Sequence, residues 1–242
     1  MIRTLIGTDR LIDQERGQAF NLDTVLLAHF ARVPYRTKLI LDIGTGTGAL
    51  MLYLSQKTKA KMIGIEIQKD RYERAKHNIV MNHLQDQLTC VHGDVKAHVC
   101  SGVDYIICNP PFFKVNHDSK LFALEEDQIA RHETQLTLEQ LIEKTASFLK
   151  QGGYFTMIHR PERFEEILRL CERHHLSMKR VRFVHPYAHK KANHVLIEAM
   201  KHGRLGLTIE PPLILYQDKH QLSEELIDIY GGVKRVTIPT KS

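Results

Sequence analysis

Short apolar runs alternate along the chain with stretches where apolar residues recur every three or four positions. The runs of strand length are "KLILDI" (38–43), "KMIGIEI" (61–67), "QLTCVHGD" (87–94), "VDYIICN" (103–109) and "YFTMIH" (154–159). Helical periodicity marks "TGALMLYLSQ" (47–56), "KDRYERAKHNIVMNH" (69–83), "TLEQLIEKTASFLKQGG" (137–153) and "RPERFEEILRLCERHH" (160–175). Strands that alternate with helices predict an α/β fold, a mostly parallel sheet with helices on both faces. Thr137 supplies a cap for the third of these helices and Gly152–Gly153 its stop, while Pro161 opens the fourth. Two more strands, "KRVRFVHP" (179–186) and "NHVLIEAM" (193–200), bring the expected count to seven. The connection between them, "YAHKKA", is too short for a helical crossover, so the last strand is predicted to run antiparallel.

The same pattern sets the domain plan. Residues 1–202 read as one domain with a helical lead-in over 1–37. Residues 203–242 read as an extension packed on it. In that extension "RLGLTIEPPLILY" and "SEELIDIYGG" predict an extended pair and a short helix. "KVNHDSKLFALEEDQ" (114–128) is polar and irregular.

Composition narrows the class. The 242 residues are 43% hydrophobic and 26% charged, the proportions of a soluble globular protein. Neither a signal-like start nor a membrane-length apolar run is present, and the four cysteines show no C-x-x-C spacing. A cytoplasmic protein with reduced thiols and no membrane association is expected. The 15 histidines form no H-E-x-x-H pattern, so no metal is expected.

Charge is uneven. Of a net +6, residues 150–204 hold 12 Lys and Arg against 5 Asp and Glu, and the remainder is close to neutral. Such a concentration is either a solvated face or the footprint of a polyanionic partner.

The chemistry starts at "LDIGTGTGAL" (41–50), a strand that runs into Gly44, Gly46 and Gly48 and then a helix. Glycines there let the backbone turn tightly and approach a ligand. Turn glycines alone would give the same spacing, and the last glycine comes one residue early for the dinucleotide fingerprint G-x-G-x-x-G. Asp42 ahead of them is wrong for a pyrophosphate and suits a cationic ligand. Glu66 and Asp94 stand at the ends of the next two strands, where carboxylates can accept from ribose hydroxyls and an adenine amino group. Helix capping or solvated loop charge is the alternative for each.

Together the glycines and the three acids resemble the class I S-adenosylmethionine-dependent methyltransferases, with a Rossmann-like sheet. The resemblance implies that Asp42 and Gly44, Gly46 and Gly48 line the methionine moiety of S-adenosyl-L-methionine. It also implies that Glu66 holds the ribose and Asp94 reads the adenine.

"CNPPFF" (108–113) then gains a meaning, because it ends the fourth strand beside the glycine turn. Asn109-Pro110-Pro111-Phe112 resembles the (N/D)-P-P-(Y/F) motif of enzymes that methylate nitrogens conjugated to an sp² system. The Asn109 side-chain oxygen and the Pro110 carbonyl can each accept one N–H, which favours a pyramidal nitrogen. Phe112 offers a face for a planar target. Asn109, Pro110 and Phe112 are the expected catalytic residues, with Asn109 also bordering the cofactor. The motif leaves open adenine or cytosine in DNA, adenine or guanine in RNA, and a glutamine amide in protein.

Further segments resemble one family more closely: "FNLDTVLLAHF" (20–30), "ARHE" (130–133), "RPERFEEIL" (160–168), "RFVHP" (182–186) and "EPPLILY" (210–216). They are similar to the bacterial tRNA(Val) adenine-N6 methyltransferases, which modify the adenine just 3′ of the anticodon. That resemblance implies a tRNA partner, with Phe112, Phe113, Arg131, Lys190 and Lys191 as substrate-binding residues and His132 beside the target base. Arg160 and Arg163 are expected phosphate contacts, and a monomer is assumed.

Overall fold

A strand buried on both faces carries apolar residues at consecutive positions, and Val103–Cys108, the run "VDYIIC", is buried along its whole length. The computed structural model of the chain describes residues 2–14, 22–110, 136–218 and 221–231. Its strands are β1 (Ile2–Thr4), β2 (Leu11–Asp13), β3 (Leu39–Ile43), β4 (Lys61–Glu66), β5 (Leu88–His92), β6 (Val103–Cys108) and β7 (Leu149–His159). Four more follow: β8 (Leu176–His185), β9 (His194–Lys201), β10 (Thr208–Ile209) and β11 (Leu213–Ile214). The helices are α1 (Leu22–Phe30), α2 (Ala49–Leu54), α3 (Lys69–Met81), α4 (Leu138–Phe148), α5 (Phe164–Arg173) and α6 (Glu224–Ile229).

The large sheet runs in the order β10-β8-β9-β7-β6-β3-β4-β5, with β11 also paired to β8. Strands β5, β4, β3, β6 and β7 are mutually parallel, and β9 lies antiparallel between β7 and β8. Successive side chains alternate between the faces. Ile40, Tyr105 and Ile107 pack under α1, α2, α3 and α6, while Leu41, Ile43, Ile106 and Cys108 pack under α4 and α5.

Three expectations need correction. The sheet has nine strands rather than seven, because the two short segments of the extension each add in parallel to β8 instead of pairing with one another. The lead-in is not only helical: β1 and β2 form an antiparallel hairpin ahead of α1. The third predicted helix stops at Phe148, four residues before the first of its glycines, although its Thr137–Gln140 capping box is formed. Leu149 is already extended, and the pairing with β6 jumps from Val103↔Leu149 to Tyr105↔Tyr154. Gly152, at φ 76°, turns within that bulge and is not a helix stop.

A polar row ties the pieces together beneath α1. Tyr105 and Thr156 share a hydrogen bond of 2.6 Å across β6 and β7. Further along, the Arg180 guanidinium on β8 donates to Glu198 at 3.0 Å and to Glu210 at 2.8 Å. It also lies 4.1 Å over the Phe30 ring. One buried arginine thereby joins β9, α1 and the extension.

Candidate active site

Parallel strands deliver their C-terminal ends to one edge of the sheet, and the loops there meet at the point where strand order reverses. Here that point lies between β3 and β6. Ile43 pairs with Ile65 on one side and Cys108 on the other, so Gly44, Glu66 and Asn109 emerge side by side, one residue beyond that row.

The glycine turn is shaped by backbone that other residues rarely adopt. Gly44, Gly46 and Gly48 have φ of 71°, 58° and 84°. A Cβ at Gly44 or Gly46 would meet nothing within 4 Å, so the turn faces open space. Gly44 N and Thr45 N donate to Ile65 O at 2.9 and 3.1 Å. Glu66, buried at the end of β4, accepts from Gly46 N at 2.8 Å and from Gln68 N at 2.9 Å. Each of its oxygens keeps further acceptor capacity.

Asp42 is fully buried. Its Oδ2 accepts from the Thr45 hydroxyl at 2.6 Å, and its Oδ1 has no hydrogen-bond partner among the described residues. Burial pushes its pKa up to about 7, against the pull of the Thr45 hydrogen bond and with a small push from Glu66. Asp94 follows β5 at the same edge, partly exposed. It accepts from Lys96 N at 2.9 Å and pairs with the Lys96 ammonium at 3.5 Å.

At the end of β6 the Asn109 amide nitrogen donates to the Thr24 hydroxyl of α1 at 3.1 Å. That bond sets the amide so that its oxygen is the end left for another partner. Pro110 is partly buried beside it. Phe112, Phe113, Arg131 and His132 lie outside the described residues. Lys190 and Lys191 are exposed in the β8–β9 turn, at the same sheet edge and three strands from β6. Arg160 donates to Asn193 O at 3.0 Å, and Arg163 forks onto Glu166 at 2.5 and 2.8 Å, so its charge is already matched.

Several site residues escape a sequence reading. Thr24 and Thr45 hold Asn109 and Asp42. The buried Asp23–His194 pair (3.0 Å) joins α1 to the start of β9. Gly64 sits where a Cβ would come within 2.7 Å of Met51 and Thr45 side-chain atoms, so its hydrogen lets the turn close on β4. A glycine inside the apolar run "KMIGIEI" was the one available signal.

Residues 21–182 match the methyltransferase small domain family. This chain belongs to that family. It is 31% identical to the tRNA1(Val) (adenine(37)-N6)-methyltransferase of Phocaeicola vulgatus, over 85% of this chain and 86% of that one. It is 28% identical to the Flavobacterium psychrophilum protein of the same name, over 87% and 89%. Among solved structures, a predicted O-methyltransferase from Agrobacterium tumefaciens superposes with a TM-score of 0.68 at 22% identity, covering 87% of this chain and 96% of that one. Geranyl diphosphate C-methyltransferase from Streptomyces coelicolor, solved with S-adenosyl-L-homocysteine, gives 0.55 at 12% identity over 74% and 76%.

The methyltransferase depends on S-adenosyl-L-methionine, and the residues present fit it. A buried carboxyl oxygen that has no partner among the described residues and an open glycine turn are what a ligand with a cationic end requires. Among the described residues there is no group of three or more His, Cys, Asp or Glu arranged to hold a metal ion, and no helix long and apolar enough to cross a membrane.

Proposed function

We propose that this methyltransferase modifies the exocyclic amino group of an adenine in tRNA, the adenine beside the anticodon of tRNA(Val). The observation that carries the reading is the placement of Asn109. Its amide is anchored by Thr24 at the end of β6, next to the glycine turn, with its oxygen left to accept. The names of the relatives supply the substrate.

S-Adenosylmethionine, when bound, supplies a methyl group on a positively charged sulfur. Asp42 and the Gly44–Gly48 turn would hold its methionine end, Glu66 its ribose and Asp94 its adenine. Asn109 Oδ1 and the Pro110 carbonyl accept the two N–H groups of the target amine. An aryl amine is a weak nucleophile because its lone pair is delocalised into the ring. Two acceptors placed off the ring plane favour the pyramidal form and free that lone pair. Catalysis on this view is positioning and fixed dipoles, with no ionised base required for the attack. The alkylated nitrogen is acidic enough to lose its proton to water. Phe112 and Phe113 give the base a face to stack on, and Arg131 borders it. Lys190 and Lys191 neutralise phosphates at the rim. The described cysteines are free thiols, and we assign the enzyme to the cytoplasm with its tRNA.

The test is nucleoside analysis of an unmodified tRNA(Val) transcript after incubation with enzyme and cofactor. N6-methyladenosine in the anticodon-loop fragment is expected. Methylguanosine, or label appearing instead in duplex DNA or in a release factor, would overturn the substrate.

A further inference from the structure

The β8–β9 turn stands at the same sheet edge as Asn109, and it carries a row of rings. Tyr187 lies between His189 of its own turn, with centroids 5.8 Å apart and planes at 26°, and Tyr216 after β11, at 5.5 Å and 36°. The histidine pair is stacked and the tyrosine pair tilted, both at centroid distances where rings attract. The backbone fixes them. Tyr216 N donates to Pro186 O at 2.9 Å and Lys190 N to Tyr187 O at 3.0 Å. The His185 ring Nδ1 meets Lys190 O at 2.8 Å. The two tyrosines are partly buried, whereas His189, Lys190 and Lys191 are exposed. Packing accounts for the tyrosines. It does not account for an exposed imidazole that continues their stack into solvent with two lysines following it.

Strand pairing gives the distance from the site. Cys108 pairs with Met157, Ile158 with Leu196, and Leu196 with Arg182, so Asn109 is three strand spacings from Arg182, and His185 lies three residues further along β8. At about 4.8 Å per spacing and about 3.3 Å per residue along the strand, the start of the turn is roughly 17 Å from Asn109. On the order of five nucleotides cover that length at about 3.4 Å each when stacked, and fewer when extended.

Building on the reading that the substrate is tRNA, we propose that His189, Tyr187 and Tyr216 form a stacking platform for an unpaired base of that RNA, a few nucleotides from the target adenine. Lys190 and Lys191 follow the adjoining phosphates. Sites for single strands combine these two elements, rings that accept any base and cations that track the backbone. A base held on the platform keeps the loop from closing its stack again, and only an unstacked adenine reaches Asn109 with its amino edge free.

Stacking and charge separate by their response to salt. Affinity for the anticodon hairpin is measured by fluorescence anisotropy over a salt series, with cofactor affinity measured in parallel. His189→Ala removes an exposed ring without opening the core. It is expected to weaken RNA binding by on the order of five- to a hundredfold with the salt slope unchanged. Tyr187→Leu should do the same and Tyr187→Phe should not. Replacing Lys190 and Lys191 with Ala should instead flatten the slope by about one to two units. Cofactor affinity should stay at the wild-type value throughout. Wild-type RNA affinity in both His189→Ala and Tyr187→Leu would overturn the platform, as would a loss matched by a fall in cofactor affinity. An oligouridylate serves as a second probe because stacking tolerates any base. Ring-dependent binding to it without methylation of tRNA leaves the platform standing and removes the substrate reading. Methylated tRNA with ring-independent binding does the reverse.

Discussion

Asp42 is a carboxyl sealed from solvent with one hydroxyl for company, and its chemistry follows from that. Burial raises its pKa from 3.8 to about 7, so across that interval the folded chain keeps a proton that the unfolded chain has released. Its contribution to stability is therefore fully present below 3.8 and lost as pH rises through about 7. An Asp42→Asn variant lacks this titration. Its melting temperature relative to wild type should climb over the same interval, and wild-type cofactor affinity should strengthen as the carboxylate ionises to face a cation. A constant melting difference across the interval, with pH-independent cofactor affinity, would contradict the assignment. Asp42, Glu66 and Asn109 stood out in the sequence because each lies at or next to the end of an apolar run, where a parallel strand delivers side chains to one edge of the sheet. Thr24 and Thr45 were not, since nothing local distinguishes a hydroxyl that meets a strand end from one that meets water.

At the scale of elements, the hairpin of β1 and β2 shows how distant pieces reach the cofactor turn. Asn78 on α3 and Asn82, which caps its C-terminal end, lie one turn apart and treat β2 as a neighbouring strand would. Asn82 exchanges two hydrogen bonds with the Leu11 backbone, at 2.8 and 2.7 Å. Asn78 accepts from Asp13 N at 2.7 Å, donates to Asp13 O at 3.3 Å and also donates to Thr47 O of the glycine turn at 2.9 Å. Only Asn78 touches both. Asn78→Ala leaves buried groups unpaired and should cost about 1–3 kcal/mol in thermal unfolding while weakening cofactor binding. Asn82→Ala, whose bonds are exposed, should cost less and leave cofactor affinity as it is. Equal loss of cofactor affinity in the two variants would show that the Thr47 contact is incidental. Periodicity could not reveal this hairpin, because strands of three residues are shorter than any repeat that distinguishes them from a loop. The early end of α4 was hidden for a related reason. Its two glycines carry the usual stop signal, yet they serve a bulge formed with β6, a partner more than forty residues away.

For the molecule as a whole, strand order does the assembling. The long apolar runs predicted the parallel core correctly, because burial on both faces leaves a continuous hydrophobic signature, and the short "YAHKKA" connection predicted the antiparallel last strand. The two segments of the extension were expected to be extended, but their pairing with β8 did not show, since pairing two residues at an edge requires no such signature. That order brings Asp42, the glycine turn, Glu66, Asp94 and Asn109 to one edge, with Lys190 and Lys191 further along it. If this edge is a machine for positioning an amine, then Asn109 matters when the nitrogen pyramidalises and hardly at all before. The decisive measurement is methyl transfer by Asn109→Ala beside wild type, with calorimetric cofactor affinity taken on the same samples. Turnover should fall by on the order of a hundredfold or more, as when a comparable polar contact to a transition state is removed, with cofactor affinity nearly unchanged. A fall of less than about tenfold would contradict the mechanism and leave Asn109 a structural residue.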